Sequence, residues 1–439
     1  MEFIDLFAGI GGFHHALKKY GAKCVLVCEI DQYCELIYKH SFKEEGYQFI
    51  SNIRELTRND IKDLDSIKTK EQLNEIVPRH DILCAGFPCQ PFSKSGFQRG
   101  IKDATRGTLF FDILQIIEAK KPKYIILENV RNLAGPRHFH TYNIIINNLI
   151  NLGYEVNQTP LIFSPHLLPA DMGGAPQNRE RVFIVGIKKN IAKNKIIKLM
   201  KFNTELREKK FFNPDNWNIN NIVIEEKNIK NLKKYQVSKE EEMYLNAWDF
   251  FVKNLEEENI PGFPIIVDFW KTNPEINFQM YEWEKTFRIK NSIFYNKNSI
   301  FCDKFLAKDW KGKSIIEFPR SRRILEWQAN KQHNKKSGRT LKDLIIQLRP
   351  SGIRVKPATY FPALVAITQT SIIGPLLRNG ATNYRRLTPI ECARLQGIPD
   401  YVYDNNLIND NQKYKQIGNG VNVGIVEKII EILLENYSA

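Results

Sequence analysis

Residues 2–13, EFIDLFAGIGGF, place a short apolar strand directly before a glycine-rich turn and the start of a helix. We expect a strand, then the turn, then a helix from about Phe13 to Tyr20. Glycines at positions 9, 11 and 12 allow the backbone to approach a ligand at a helix N-terminus. The spacing differs from the dinucleotide-binding GxGxxG pattern, and a simple tight turn would also account for it. The stretch predicts the first strand–helix unit of an α/β domain.

The same alternation continues along the first 187 residues. Apolar strands are predicted near 24–28, 81–87, 124–127 and 181–187, with helices near 31–42, 109–120 and 141–152 between them. Strands that alternate with helices indicate a doubly wound, mostly parallel α/β sheet. Near the end of the chain, apolar residues at 425, 426, 429, 432 and 433 form one helical stripe. We expect this last helix to pack back onto the α/β domain.

Three chemically capable side chains follow predicted strands. Glu29 comes about 20 residues after Gly9, Cys89 follows the strand at 81–87, and Glu128 follows the strand at 124–127. Open α/β sheets bind ligands at the carboxyl ends of their strands, and a carboxylate at the position of Glu29 can hold ribose hydroxyls. Each residue also has a structural alternative. Glu29 could begin the next helix, Cys89 could be a small buried residue, and Glu128 could form a salt bridge.

Length and charge indicate a second domain and a polyanionic partner. The chain has 439 residues with a formal net charge of +15, and 64 of them are Lys or Arg. A basic excess of this size favours nucleic acid. Residues 188–380 lack the strand–helix alternation and interleave basic and aromatic residues, with basic clusters at 320–323 and 331–339. The alternative is a separate α+β domain whose aromatic residues form its core.

The seven cysteines are scattered and include no CxxC pair, so the sequence predicts neither a metal site nor a disulfide framework. Met1 leads directly into the first strand, and no apolar run reaches the length of a membrane span. We therefore expect no membrane association and a location in the bacterial cytoplasm.

Several motifs occur in a fixed order, and together they are far more specific than any one alone. They are FIDLFAGIGGF (3–13), GFPCQPFS (86–93), ENV (128–130), QNRERVFIVG (177–186), RRLTPIECARLQGIPD (385–400) and QIGNGVNV (416–423). This order resembles the DNA (cytosine-5)-methyltransferases of bacterial type II restriction–modification systems. The resemblance implies a catalytic domain at 1–187 and 416–439, a target-recognition domain at 188–384, and a connecting segment at 385–415.

The resemblance also implies roles for individual residues. Cys89 would be the nucleophile, Glu128 would bind and protonate nitrogen 3 of cytosine, and Arg179 and Arg181 would support Glu128 and the base. The S-adenosyl-L-methionine pocket would comprise Phe7, Gly9, Ile10, Gly12, Glu29, Ile30, Asn52, Ile53, Pro88, Asn419 and Val421. DNA contacts are expected from Gln90, Ser93, Ser95 and Arg106.

Two positions of this pocket depart from the family pattern. Asn52 replaces the usual Asp, and Ile30 stands where a large aromatic residue is common. Both changes should weaken cofactor binding without abolishing it.

The implied function is site-specific transfer of a methyl group to carbon 5 of a flipped-out cytosine in double-stranded DNA. The enzyme would act as a monomer and protect host DNA against a cognate restriction endonuclease that it does not contact directly. Two alternatives remain open at this point: an RNA cytosine-5 methyltransferase, and a catalytically inactive DNA-binding homologue.

Overall fold

The computed structural model describes residues 1–88, 109–192, 194–211, 217, 219–256, 259–271, 279–329, 339–364 and 371–435. The chain forms two compact units. The first unit comprises residues 1–217, 362–368 and 392–439, and the second comprises 218–361 and 369–391. Compared with the predicted boundary at residue 187, the first unit therefore extends further along the chain. No helix in the described ranges is long and apolar enough to cross a membrane.

The strands of the described residues are β1 (Glu2–Leu6), β2 (Lys23–Cys28), β3 (Gln48–Ile50), β4 (Ile82–Gly86), β5 (Tyr124–Val130), β6 (Tyr154–Val156), β7 (Leu161–Phe163), β8 (Gln177–Asn178), β9 (Arg181–Lys188), β10 (Ile265–Ile266), β11 (Ile324–Trp327), β12 (Ile345–Arg349), β13 (Gly352–Lys356), β14 (Phe361–Pro362), β15 (Ile372–Ile373) and β16 (Arg385–Arg386). The α-helices are α1 (Gly12–Lys18), α2 (Gln32–Ser41), α3 (Ile53–Thr57), α4 (Lys70–Ile76), α5 (Leu109–Lys120), α6 (Phe139–Asn151), α7 (Lys195–Arg207), α8 (Lys239–Asn254), α9 (Glu282–Lys297), α10 (Ser299–Ala307), α11 (Pro389–Leu395), α12 (Asp410–Asn419) and α13 (Val423–Leu434).

The first unit is built on one sheet with the strand order β3-β2-β1-β4-β5-β9-β6, and β7 also pairs with β9. Strands β1 to β5 are parallel, whereas β9 is antiparallel to β5, β6 and β7. The predicted doubly wound, mostly parallel fold is confirmed. The strand order reverses between β1 and β4, and ligands of such sheets bind outside the carboxyl ends of the strands at this point.

Helix α13 closes the first unit, as its apolar stripe predicts. It packs against α1 and α7, and its buried residues include Ile425, Val426 and Ile429. Lys19 forms an ion pair with Glu427, and the Tyr20 hydroxyl donates to the Glu427 carbonyl. Helix α7 also packs on β7, which explains why the first unit continues beyond β9.

The second unit contains a mixed sheet with the order β10-β11-β13-β12-β15-β16. One face of this sheet belongs to a hydrophobic core that also includes residues of α8. Trp248, Trp270 and Trp327 are all buried in this core. The aromatic residues that interrupt the basic sequence are thus in part core residues, as the structural alternative predicts.

Candidate active site

A cleft of about 440 Å³ lies at the carboxyl ends of the parallel strands of the first unit. Nine of the residues predicted for the cofactor pocket line it: Phe7, Gly9, Glu29, Ile30, Asn52, Ile53, Pro88, Asn419 and Val421. Glu128 and Arg181, predicted for catalysis, line the same cleft. Residues that are up to about 400 positions apart in the sequence therefore meet at the predicted edge of the sheet.

The turn after β1 forms the floor of the cleft. Phe7 has a left-handed backbone (φ 57°), which strains a residue that carries a side chain, and Gly9 (φ 56°) has the same conformation without that penalty. A Cβ atom added at Gly9 would meet nothing within 4 Å, so the glycine is needed for its backbone rather than for space. This turn presents the Gly9 N–H towards the end of β2.

The Glu29 carboxylate accepts a hydrogen bond from that N–H group. Its Oε2 accepts from the Gly9 nitrogen and its Oε1 accepts from the Asp31 nitrogen, both at 2.8 Å. Burial raises the pKa of Glu29, and these two backbone hydrogen bonds oppose the shift. A carboxylate accepts at about four sites, so these backbone hydrogen bonds leave accepting capacity on Glu29. Glu29 is thus fixed in position and can still accept from a pair of hydroxyl groups.

An apolar residue stands beside this carboxylate. Ile30 lines the cleft and is 70% exposed, a large exposed fraction for an isoleucine. Its side chain can pack against a flat apolar surface of a ligand. Lys415 forms an ion pair with Asp31 at 3.0 Å and so ties the segment before Asn419 to the end of β2. The two walls that the sequence predicted for one pocket are linked here directly.

Asn52 lines the cleft as predicted, and its side chain also caps a helix. Its side-chain oxygen accepts from the Arg54 nitrogen at 3.0 Å, and the Glu55 carboxylate accepts from the Asn52 nitrogen. This reciprocal pair caps helix α3. The same side chain that was predicted for the cofactor pocket therefore also begins a helix.

Two of the predicted pocket residues shape the cleft from behind. Ile10 is buried, and Gly12 packs so closely on Val421 that an added Cβ would lie 2.5 Å from its Cγ1 atom and 2.9 Å from its carbonyl oxygen. Neither residue lines the cleft. Their contribution to the site is to bring α1 against the segment that carries Val421.

Glu128 lies at the other end of the cleft. Its Oε1 atom is 3.0 Å from the Nε atom of Arg181, and the carboxyl group is almost fully buried. Burial raises the pKa of Glu128, whereas the positive charges of Arg181 and Arg179 oppose the shift. A buried carboxyl group of this kind can keep a proton at a pH where an exposed glutamate would lose it.

Strand pairing places the chain that leads to Cys89 beside this carboxyl group. Gly86 at the end of β4 is directly opposite Glu128 on β5. A Cβ added at Gly86 would lie 3.6 Å from the Glu128 Oε2 atom, an ordinary van der Waals distance, so Gly86 and the Glu128 carboxyl group are close neighbours. Cys89 itself lies outside the described residues, as do the predicted DNA contacts Gln90, Ser93, Ser95 and Arg106.

Arg179 is placed differently from Arg181. Its side chain is buried and donates to the carbonyl groups of Leu364, Gly418 and Gly420 at 2.8 to 3.0 Å. These bonds secure the segment that leads to Asn419 and Val421. The described contacts of Arg179 thus support the wall of the cleft, while its charge acts on Glu128 from a distance.

Sequence reasoning missed two residues of this site. The side-chain nitrogen of Asn129 donates to the Phe87 carbonyl at 2.8 Å and fixes the end of β4 against β5. Gln416 lines the cleft and accepts from the Tyr403 hydroxyl at 3.0 Å. The signal for both was their place inside the ENV and QIGNG motifs, next to residues that were predicted.

Comparison with known proteins identifies the family. The sequence matches the model of the C-5 cytosine-specific DNA methylases over residues 1–435. The chain belongs to this family. It is a DNA (cytosine-5)-methyltransferase, and the cleft described above lies in its methyltransferase fold.

Similar proteins agree with this assignment. The type II methyltransferase M.AluI of Cellulosimicrobium cellulans is 36% identical over 508 residues, covering 98% of this chain and 91% of the relative. M.HhaI of Haemophilus parahaemolyticus is 37% identical over 231 residues, covering 52% of this chain and 62% of the relative. Among solved structures, S. pombe Dnmt2 gives a TM-score of 0.52 at 14% identity with full coverage of both chains, a likeness of fold alone.

Proposed function

We propose that this enzyme transfers the methyl group of S-adenosyl-L-methionine to carbon 5 of a cytosine that is flipped out of double-stranded DNA, within one short recognition sequence. The observation that carries the proposal is the joint lining of one cleft by Glu29, Glu128 and Arg181. The Glu29 carboxylate can accept hydrogen bonds from ribose hydroxyls, and Glu128 and Arg181 can interact with a pyrimidine ring.

The cleft fits the proposed cofactor. Glu29 would accept from the ribose hydroxyls, Ile30 and Phe7 would pack on the adenine, and Asn52 would lie near its amino group. When bound, the sulfonium group supplies a methyl group that a carbon nucleophile can take. The turn at Gly9 would line the methionine portion, and Pro88, Asn419 and Val421 would complete the pocket.

The reaction needs a nucleophile because carbon 5 of cytosine is itself a poor one. Attack by the Cys89 thiolate on carbon 6 would turn the ring into an enamine, whose carbon 5 can accept a methyl group. A free thiol has a pKa near 8.5, so Cys89 requires activation by its surroundings. Thiolates suit the step because they are strongly nucleophilic and leave again afterwards.

Glu128 would assist on the opposite side of the ring. A proton delivered to nitrogen 3 removes the negative charge that thiolate attack would otherwise place there. Its raised pKa supports this role, because the carboxyl group can then hold the proton that it must share. Arg181 at 3.0 Å would orient the carboxyl group, and general acid assistance typically contributes about 100- to 10,000-fold.

A base within a duplex exposes neither face to a thiol, so the target must leave the stack at a cost of a few kcal/mol. Gln90, Ser93, Ser95 and Arg106 are proposed to contact the DNA around the vacated position. The second unit is proposed to supply target recognition.

We further propose that the enzyme acts as a monomer in the bacterial cytoplasm and protects host DNA from a nuclease of the same specificity.

Bisulfite sequencing of plasmid DNA from cells that express the chain tests the proposal. Cytosines in one short fixed context should resist conversion, and none should resist when Cys89→Ser is expressed at the same level. The variant should still bind DNA, which a mobility-shift assay checks. If the wild type leaves every cytosine convertible, transfer of a labelled methyl group to RNA becomes the next assay. Methylation by Cys89→Ser would remove Cys89 from its proposed role.

A further inference from the structure

The sheet of the second unit has one apolar and one polar face. On β11, β12 and β13, residues such as Leu325, Leu348 and Ile353 point into the hydrophobic core. The alternate positions carry Glu326, Gln347, Arg349, Arg354 and Lys356 together with the apolar Ile324 and the buried Ile345, and Gln328 follows directly after β11. Many sheets have a solvated face, so this alternation alone indicates no function. The identity of the polar residues and their contacts are more informative.

Three of these residues form one row across the sheet. Arg354 on β13 lies directly opposite Glu326 on β11 and opposite Gln347 on β12. The Nε atom of Arg354 is 3.0 Å from the Oε2 atom of Glu326, and Arg349 binds the same oxygen. Gln328 donates to the other oxygen of Glu326. The carboxylate therefore forms ion pairs with both Arg354 and Arg349 on this face of the sheet.

The row keeps unused hydrogen-bonding capacity. The only described contact of Arg354 is with Glu326, although a guanidinium group offers five N–H donors. The side-chain amide of Gln347 has no hydrogen bond among the residues that the structure describes. Both residues are partly exposed.

The charge of this face is also unbalanced. Arg349, Arg354 and Lys356 surround one carboxylate, and burial together with the two arginines lowers the pKa of Lys356. A structural ion pair needs one cation for one anion. A face that concentrates three cations fits a polyanion, and an arginine held by a carboxylate loses less conformational freedom when it binds.

We propose that the row Glu326–Arg354–Gln347 reads base edges of the target DNA, with Arg354 on a guanine and Gln347 on an adenine of the neighbouring base pair. This deepens the proposed function of the second unit and rests on it. Arginine pairs with guanine O6 and N7, glutamine pairs with adenine N6 and N7, and sheets that enter a groove are an established docking mode. Glu326 is the positioning residue, and Arg349 and Lys356 supply charge near the phosphates.

The test measures sequence discrimination. After bisulfite sequencing has given the target, purified full-length enzyme is assayed on duplexes that carry one substituted base pair each. Arg354→Lys keeps the positive charge but removes the two parallel N–H donors of the guanidinium group. The ratio of kcat/KM between the target and the duplex with that guanine replaced should therefore fall by roughly 5- to 150-fold, as expected for one bidentate base contact. Gln347→Met keeps the length of the side chain and should relax an adjacent adenine position by a similar factor.

The matched control is Arg288→Lys. Arg288 also pairs with a glutamate, Glu284, but it lies on helix α9 away from this face. Discrimination by this variant should equal that of the wild type. Gln347→Met covers the case in which Arg354→Lys fails to fold, because Gln347 makes no described side-chain hydrogen bond that folding could require.

Three results would overturn the inference. The first is unchanged discrimination in both variants. The second is a uniform loss on all duplexes with a shallower salt dependence, which would place these residues on phosphates. The third is a target sequence that lacks adjacent guanine and adenine base edges. A wild-type enzyme that methylates no DNA would instead refute the proposed function itself.

Discussion

Two buried Arg–Glu pairs in this molecule use the same residues in opposite ways. In the second unit, both nitrogens of the Arg385 fork contact Glu391 at 2.7 and 2.8 Å, and neither side chain is exposed. The remaining capacity of Glu391 is taken by the backbone nitrogens of Ile224 and Thr388. In the cleft of the first unit, the Nε atom of Arg181 lies 3.0 Å from the Oε1 atom of Glu128, and both side chains remain slightly exposed.

The difference lies in how completely the carboxylate is satisfied. Both oxygens of Glu391 have described partners, so Glu391 connects the chain at Ile224 with residues 385–388 and has no free acceptor site for a ligand. Glu128 has one described ion-pair contact, and burial raises its pKa. A saturated pair stabilises the fold, whereas an incomplete pair can accept a substrate. Substitution of Glu128 should therefore lower turnover, whereas substitution of Glu391 should lower the stability of the fold.

The largest effect is expected from Glu128→Gln. The amide keeps the size of the side chain but has no proton to share with nitrogen 3, so turnover should fall by about 100- to 10,000-fold. Affinity for S-adenosyl-L-methionine, measured by calorimetry, should stay unchanged. Glu180→Gln is the matched control, since Glu180 forms an exposed pair with Arg131. Parallel losses of turnover and cofactor affinity in Glu128→Gln would indicate a structural role instead.

Glu391→Gln should act on stability. It removes the close counter-ion of the fully buried Arg385 and leaves only Glu226 at 3.9 Å, and breaking a buried pair typically costs about 3–5 kcal/mol. Urea unfolding followed by tryptophan fluorescence measures this, because Trp248, Trp270 and Trp327 lie in the core of the second unit. Glu282→Gln removes an exposed partner of Lys285 and should have no measurable effect. Equal unfolding midpoints for the two variants would contradict the proposed contrast.

The smallest effect is expected from Arg181→Gln, and it concerns pH. Arg181 lowers the pKa of Glu128 against the larger effect of burial. Without this charge the pKa rises further, and Glu128 keeps its proton to higher pH. The alkaline decline of kcat should move to higher pH, although turnover falls because the carboxyl group is less well oriented. A pH–rate profile with an unchanged alkaline limb would exclude Glu128 as the group that titrates.

Much of the first unit could be predicted because its signals are local. Glu29 and Glu128 each follow an apolar run that reads as a buried strand, and parallel strands bring their carboxyl ends to one edge. Residues 388–391 of the second unit carry a similarly local signal, since Thr followed three residues later by Glu is typical of a capping box, and the structure contains both of its hydrogen bonds.

The parts that could not be predicted depend on contacts between distant segments. The partner of Arg179 at Gly420 is 241 residues away, and no local pattern shows that a buried arginine will bind carbonyl groups. Arg385 on β16 pairs with Glu391 on α11 six residues later, a spacing that does not match the three- or four-residue spacing of helix-surface pairs. Asn52 was assigned from the family pattern, although the Glu55 three residues later already signalled a helix cap.

The closure of the first unit by α13 has a consequence for synthesis. One wall of the cleft, at Gln416 to Val421, and the helix that packs on α1 lie about 400 residues after the turn at Phe7 and are translated after it. At about 5–20 residues per second, the ribosome needs tens of seconds to bring these partners together. A nascent or prematurely terminated chain therefore lacks a complete pocket, and methylation can begin only on molecules whose synthesis has passed this segment.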